Sequence, residues 1–316
     1  MRPARTPLIL LASTALLLSG CATTTAPSTD SADTKVVVVA STSVYGDIAG
    51  QIAGDLASVT SLITSSAQDP HSYEASAQDR LILGKAGLVI ENGGGYDPFI
   101  DTLLTASGTT PTVINASEES GLMDDHGSDS ATDQGDDQAH VEGFNEHVWY
   151  SFAAMQKVSA AIAEQLAALD PANAATYRAK QKAFAEKLSA LEARADALKA
   201  SIGGGGVAIT EPVPLYLLEE IGLQNKTPAE FSEAIEEGTD VPPAALQDTL
   251  GLFSSASVRL LAYNSQTASP ETERVRAAAD AAGIPVLSFT ETLPEGADYV
   301  SWMNANLDAL AKNLQG

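Results

Sequence analysis

Short apolar segments alternate with helical patterns along most of the chain, and this alternation restricts its fold more than any other feature. A strand buried in a parallel sheet is a nearly continuous apolar run, and residues 36–39 are four consecutive valines. Similar segments are predicted to be strands at residues 58–63, 88–90, 112–114, 207–210, 258–263 and 285–289. Helical patterns lie between them, which is typical of βαβ units and parallel sheets.

One long alanine-rich segment, residues 172–202, divides this alternation into two series. Phe184, Leu188 and Leu191 recur there at helical spacing, with Lys and Glu between them. At 1.5 Å per residue such a helix is about 45 Å long. The predicted fold is therefore α/β with two lobes, each a parallel sheet flanked by helices, joined by one long rigid helix. The predicted ranges are 35–170 for the first lobe, 171–202 for the connecting helix and 203–316 for the second lobe.

The first residues resemble an export signal. Arg2 and Arg5 precede an apolar run at residues 8–18, which is too short to span a bilayer comfortably. The sequence LSGC at residues 18–21 resembles the lipobox of bacterial lipoproteins. Residues 1–20 are thus predicted to be a signal peptide, and Cys21 to carry lipid. The alternative is an ordinary signal peptide whose end happens to contain a cysteine.

The lipid would hold an exported protein at the outer face of the cell membrane, on the extracellular or periplasmic side, without spanning it. Residues 21–34 are rich in Thr, Ser and Ala and are predicted to be a flexible tether. Cys21 is the only cysteine, so neither an internal disulfide nor a cysteine-based metal site is possible.

The charge of the chain argues against nucleic-acid binding. There are 41 acidic and 17 basic residues, and the net charge of −24 repels phosphate backbones and attracts cations. Acidity alone is also common among soluble exported proteins. Residues 124–140 are especially acidic and are predicted to be a solvated loop. The alternative is that His126 and His140, which lie in this loop, sample metal weakly.

Four residues stand at comparable positions in the two lobes. His71 follows the second predicted strand and His147 begins a predicted helix, while Glu211 and Glu291 follow strands of the second lobe. Ligands of open α/β sheets bind at the carboxyl ends of strands. Two imidazoles and two carboxylates bind a divalent metal well, and the two carboxylates neutralise its charge. Taken singly, each residue has an ordinary interpretation, such as a solvated loop carboxylate for Glu211.

Two residues at the end of another predicted strand are candidates for supporting these ligands. Tyr263 and Asn264 end a predicted strand that faces the cleft between the two predicted lobes. They are predicted to orient a ligand carboxylate by hydrogen bonding. Structural turn chemistry is the equal alternative.

The segments around the four residues resemble the ligand motifs of the zinc/manganese family of ABC-importer solute-binding proteins. DPHSYE at residues 69–74 resembles the first motif and NEHVW at 145–149 the second. TEPVP at 210–214 and FTETLP at 289–294 stand where that family places its third and fourth ligands. The resemblance implies a metal in the cleft between the lobes, held by His71, His147, Glu211 and Glu291. It also implies a membrane permease and a cytoplasmic ATPase as partners.

Two departures from the family pattern bear on the metal. Many zinc-type members have a third histidine where this chain has Glu211. Manganese-type members have a glutamate there and an aspartate where this chain has Glu291. Zinc is slightly favoured as the cargo because it binds such sites more tightly, and manganese is next.

The predicted function is capture of this metal by a monomer, without catalysis, for delivery to an ABC importer. A surface adhesin or structural lipoprotein with a structural metal is one alternative. A secreted metal-dependent hydrolase is the other, and it needs an open coordination position and a general base. The chain contains neither an HExxH motif nor a serine nucleophile elbow, so the hydrolase is disfavoured.

Overall fold

The computed structural model describes Met1 and residues 35–65, 67–123 and 143–315. The predicted lipidation site Cys21 and the loop histidines His126 and His140 lie outside the described residues, as does the predicted tether. Within the described part of the chain, no helix is long and apolar enough to cross a membrane. Residues from Lys35 onward form one compact unit.

The first lobe is built on a four-stranded parallel sheet in the order β2-β1-β3-β4. Its strands are β1 (Val36–Thr42), β2 (Ala57–Ile63), β3 (Leu88–Glu91) and β4 (Thr112–Asn115). The consecutive valines form β1, which is central and pairs with β2 and β3 in parallel register. The helices of this lobe are α1 (Ser43–Ala53), α2 (Ala77–Leu83), α3 (Phe99–Ser107), α4 (Ala116–Ser120) and α5 (Phe152–Leu169).

The start of α5 differs from the prediction that a helix begins at His147. Val148–Tyr150 instead form one 3-10 turn, and Ser151 is extended. The Ser151 side chain accepts a hydrogen bond from the backbone N–H of Ala154, which caps α5 at Phe152. His147 therefore lies on a separate turn ahead of the helix, where its side chain is fixed by its own contacts.

The long connecting helix is α6 (Ala174–Ile202), which has 29 residues. It ends at Gly203, whose φ of 68° is the left-handed conformation that glycine adopts without strain. One apolar face is buried along its length and packs against α1, α5 and α11 (Tyr299–Leu314). Since α6 is in contact with both lobes, it fixes their spacing.

The second lobe repeats the strand order of the first. Its sheet is β6-β5-β7-β8, again all parallel. The strands are β5 (Gly205–Ile209), β6 (Leu223–Asn225), β7 (Leu261–Asn264) and β8 (Val286–Phe289). Its other helices are α7 (Leu215–Glu220), α8 (Ala229–Glu236), α9 (Pro243–Ser254) and α10 (Pro270–Ala281). The prediction of two parallel-sheet lobes joined by one long helix is confirmed, although it did not include β6 and α8.

Hydrogen bonds join the lobes directly across the cleft. The Tyr150 hydroxyl donates to the carbonyl of Thr290 at 2.8 Å, and the Tyr299 hydroxyl donates to the carbonyl of Trp149 at 2.7 Å. The backbone N–H of Leu293 donates to Ser43 Oγ at 3.1 Å. These bonds hold the carboxyl ends of the two sheets towards one another.

Candidate metal site

Three of the predicted ligands converge at the carboxyl ends of the two sheets. His71, His147 and Glu291 each offer a ligand atom, and these atoms all lie within 4.8 Å of one another. His71 Nε2 is 3.8 Å from Glu291 Oε2, and the two imidazole rings are 6.0 Å apart between centroids. We call these three residues the first group. Two imidazoles and a carboxylate at this spacing are suited to a divalent transition metal.

His71 lies on the loop after β2, and the loop is tied by its own side chains. Asp69 Oδ1 accepts from the backbone N–H of His71 at 3.0 Å, and Asp69 Oδ2 accepts from the Ser72 hydroxyl at 2.9 Å. The edge of the Tyr96 ring packs against the imidazole with centroids 4.8 Å apart. The His71 side chain keeps 10% of its surface exposed, so it is the ligand of the first group that solvent reaches.

His147 is fully buried, and Asn145 determines which ring nitrogen faces the site. The Asn145 amide donates through Nδ2 to the carbonyl of Pro212 at 3.1 Å, which leaves its oxygen to accept. That oxygen lies 2.8 Å from His147 Nδ1 and also accepts from the His147 backbone N–H. We therefore assign the proton to Nδ1, so that Nε2 carries the lone pair. An outer hydrogen bond of this kind is usual for a metal-ligating histidine.

Glu211 and Glu291 are both buried and share one amide group. Asn264 Nδ2 donates to Glu211 Oε2 at 2.6 Å and to Glu291 Oε1 at 2.7 Å. Thr267 donates to the other oxygen of Glu211, and the Tyr96 hydroxyl donates to Glu291 Oε2 at 3.1 Å. Glu211 does not belong to the first group; it is linked to that group through Asn264.

The burial of these carboxylates changes their acidity. Burial, followed by the charge of Glu211, raises the pKa of Glu291 to about 8. Burial also raises the pKa of Glu211 to about 7, although hydrogen bonds from Thr267 and Asn264 oppose this shift. Two carboxylates that resist ionisation together in a buried place favour a cation between them.

The two predicted supporting residues have different surroundings. Asn264 contacts both candidate ligand carboxylates, as described above. The Tyr263 hydroxyl donates instead to Glu273 Oε1 on α10 at 2.7 Å. Successive strand residues point to opposite faces of a sheet, so the two side chains leave the strand in opposite directions and only that of Asn264 reaches the carboxylates.

Three further residues of the site were missed at the level of sequence. They are Tyr96, Glu146 and Glu236, of which Glu236 is the last residue of α8. Glu236 Oε1 lies 3.6 Å from His147 Nδ1. The position of Glu146, directly before a predicted ligand, was a usable signal. Glu236 had no such signal because α8 itself was not predicted.

The shared amide gives a testable prediction. Replacing Asn264 with alanine removes the donor that orients both carboxylates, so we expect metal affinity to fall about 10- to 100-fold. Isothermal titration with zinc measures this change. Tyr263→Phe is the matched control, because it removes a hydrogen bond from the other face of the same strand. Equal affinities for the two variants would show that Asn264 does not position the ligands.

Comparison with known proteins decides the family. Residues 38–313 match the family described as "Zinc-uptake complex component A periplasmic". The chain belongs to this family. The manganese ABC transporter substrate-binding lipoprotein scaA of Streptococcus gordonii is 29% identical to it over 306 residues, which cover 91% of each chain. The iron ABC transporter substrate-binding lipoprotein MtsA of Streptococcus pyogenes serotype M1 is 27% identical over 340 residues, covering 98% of each.

A solved structure extends the likeness to three dimensions. The substrate-binding protein FpvC of Pseudomonas aeruginosa, in complex with Mn²⁺, is 25% identical with a TM-score of 0.69. The match covers 89% of this chain and 98% of that chain. The resemblance to metal-binding ABC-importer proteins is thus confirmed, and so is the prediction that the chain is not an enzyme. The relatives are named lipoproteins, which agrees with the predicted export and lipid anchoring at the outer face of the cell membrane.

Proposed function

We propose that this chain captures one divalent transition-metal ion and delivers it, as a monomer, to the permease of an ABC importer driven by a cytoplasmic ATPase. The convergence of His71, His147 and Glu291 within 4.8 Å carries this proposal. Glu211 is the fourth ligand. A cation that displaces the proton retained by Glu211 and Glu291 can bind both of these carboxylates, which share Asn264. Four protein ligands leave no position for a catalytic water, which suits capture.

Accessibility to solvent favours transport over a structural role for the metal. A cavity of about 430 Å³ is lined by His71 together with Asp69 and Glu236. The site is therefore open towards solvent at His71, and an ion that is to be released needs such an opening. A metal that served only to stabilise the fold would need no such opening.

Zinc is the first candidate cargo and manganese the second. Zinc binds nitrogen and oxygen sites more tightly than manganese does, and the matching family is described by zinc uptake. The pair of glutamates favours manganese, because carboxylates are hard ligands. One relative is named for manganese and another for iron, so the metal in the name differs among proteins similar to this chain.

Metal analysis followed by competitive titration tests the proposal. We expect the soluble chain, purified without metal-binding tags, to hold one ion, and zinc to displace manganese. Glu211→Ala is expected to weaken binding by at least about 10-fold, as loss of a ligand should. Binding that is unaffected by this change would remove Glu211 from the ligand set. A wild-type chain without a stoichiometric ion would contradict metal capture altogether.

A further inference from the structure

A second set of potential ligands lies beside the first group and shares one member with it. His71, Glu146 and Glu236 also offer ligand atoms that all lie within 4.8 Å of one another. We call these three residues the second group. Because both groups use His71, an ion bound by one excludes an ion bound by the other.

Glu236 is the residue that points to a ligand. Its side chain is 7% exposed, and Oε1 is shielded from solvent. Among the residues that the structure describes, none forms a hydrogen bond with this oxygen. His147 Nδ1 lies 3.6 Å from this oxygen, but the proton on that nitrogen is directed to Asn145 at 2.8 Å. A buried carboxylate oxygen without a donor is costly unless a cation binds it.

The surroundings of Glu236 add to this cost. The charges that act on it most strongly are those of other carboxylates, chiefly Glu146, Glu211 and Glu291. A divalent cation would reverse each of these unfavourable interactions at once. Glu236 is therefore placed for a positive ion and not for a structural hydrogen bond.

The cavity gives the second group its place on the route of the ion. Asp69, His71, Glu236 and Glu237 contribute acidic and imidazole groups to its lining. Among the described residues that line it, His71 alone belongs to the first group. An ion arriving through this cavity meets His71 and Glu236 before it meets His147 and Glu291.

We propose that His71, Glu146 and Glu236 form a second, weaker metal-binding site, which binds a divalent transition-metal ion from the cavity and transfers it to His147 and Glu291. This inference rests on the proposed function. Three protein ligands leave coordination positions for water, so the ion is held less tightly and exchanges more readily. His71 stays bound during the transfer, while Glu146 and Glu236 are replaced by the deeper ligands.

Removing the deeper ligands, His147 and Glu291, tests the second metal-binding site directly. The double variant His147→Ala/Glu291→Gln keeps the second group intact. We expect it to bind one zinc ion more than about 100-fold more weakly than wild type, since the loss of a ligand exceeds the loss typical of a residue that only supports one. Anomalous diffraction at the zinc edge should place that ion between His71, Glu146 and Glu236. An ion found elsewhere, or no bound ion at millimolar zinc, would overturn the proposal of a second metal-binding site.

A third substitution in this background supplies the matched control. Adding Glu236→Gln is expected to weaken zinc binding at least about 10-fold further. Adding Glu237→Gln changes the charge equally at an exposed residue lining the same cavity, and is expected to leave zinc binding unchanged. Equal affinities for the two triple variants would overturn the inference. Wild-type chain that binds no zinc would instead contradict the proposed function.

Association kinetics keep the inference testable if the double variant does not fold. The Trp149 ring is 5.1 Å from the His147 ring between centroids, so tryptophan fluorescence should report binding. With single substitutions, we expect zinc to associate at least about fivefold more slowly with Glu236→Gln than with Glu237→Gln, because both changes remove one charge from the cavity but only the first removes a ligand of the second group. Equal association rates would show that Glu236 does not lie on the route.

Discussion

Alanine in place of His147 should lower the affinity for zinc by more than about 100-fold, beyond the loss typical of residues that only support a ligand. The imidazole is fully buried and held by Asn145, so its loss leaves a vacant ligand position that no flexible surface residue can fill. Competition against a chelator of known affinity measures the change. Thermal unfolding of the metal-free variant checks that the fold is retained.

The same substitution at His140 is the control for this result. His140 lies in the acidic segment that is predicted to be a solvated loop, and we expect His140→Ala to change zinc affinity less than about twofold. A comparable loss in the two variants would mean that the segment contributes to capture. An unchanged affinity in His147→Ala would remove this residue from the site and leave the structural-lipoprotein alternative standing.

The architecture was predictable because local sequence patterns determine it. The apolar run of β1 can be satisfied only by burial on both faces of a sheet. The spacing of Phe184, Leu188 and Leu191 places them on one side of α6, where all three are buried. Glycines after α6 then end the helix at a defined residue. Each of these features depends on neighbours in the chain and not on the final fold.

The missed helix α8 was short but carried a readable signal. Phe231 and Ile235 are four residues apart, and both are buried. This spacing covers only one helical turn, which also fits an irregular segment. Consequently Glu236 could not be assigned to the site, because its approach to His147 depends on where α8 docks.

The candidate ligands were predictable to the extent that strand ends define them. His71, Glu211 and Glu291 follow strands, and the parallel topology brings the strand ends to one edge of each sheet. The hydrogen bonds from one Asn264 amide to two glutamates could not be predicted in this way. They depend on side-chain contacts between residues 53 and 27 positions apart, which no local pattern records.

Metal binding should stabilise the chain more strongly as the pH rises. The raised pKa values of Glu211, about 7, and Glu291, about 8, mean that the metal-free folded state holds protons more tightly than the unfolded chain does. The stability that these two groups contribute is fully present below their ordinary pKa near 4.5. It is lost as the pH rises through 7 and 8. The metal-free protein is therefore expected to lose stability from pH 5.5 to pH 8.

The stabilisation that the metal adds should show the opposite trend, because the ion binds the ionised carboxylates and neutral imidazoles. Between pH 7.5 and pH 5.5 these groups retain protons that the metal must displace, so affinity should fall on the order of 100-fold. With zinc at 1,000 times its Kd at pH 7.5, binding adds about 4 kcal/mol to the free energy of unfolding. This corresponds to a rise in Tm on the order of 10 °C.

Lowering the pH to 5.5 at the same zinc concentration should reduce the gain to about 1.4 kcal/mol, since zinc is then near ten times its Kd. Thermal unfolding with and without zinc at both pH values measures the difference. Glu211→Gln removes one titrating ligand and should make the affinity less dependent on pH than in wild type. Zinc affinity that is constant from pH 5.5 to pH 7.5 would be incompatible with a site built from buried glutamates and histidines. The cost of burying these carboxylates without a cation is what favours a metal ion at this site.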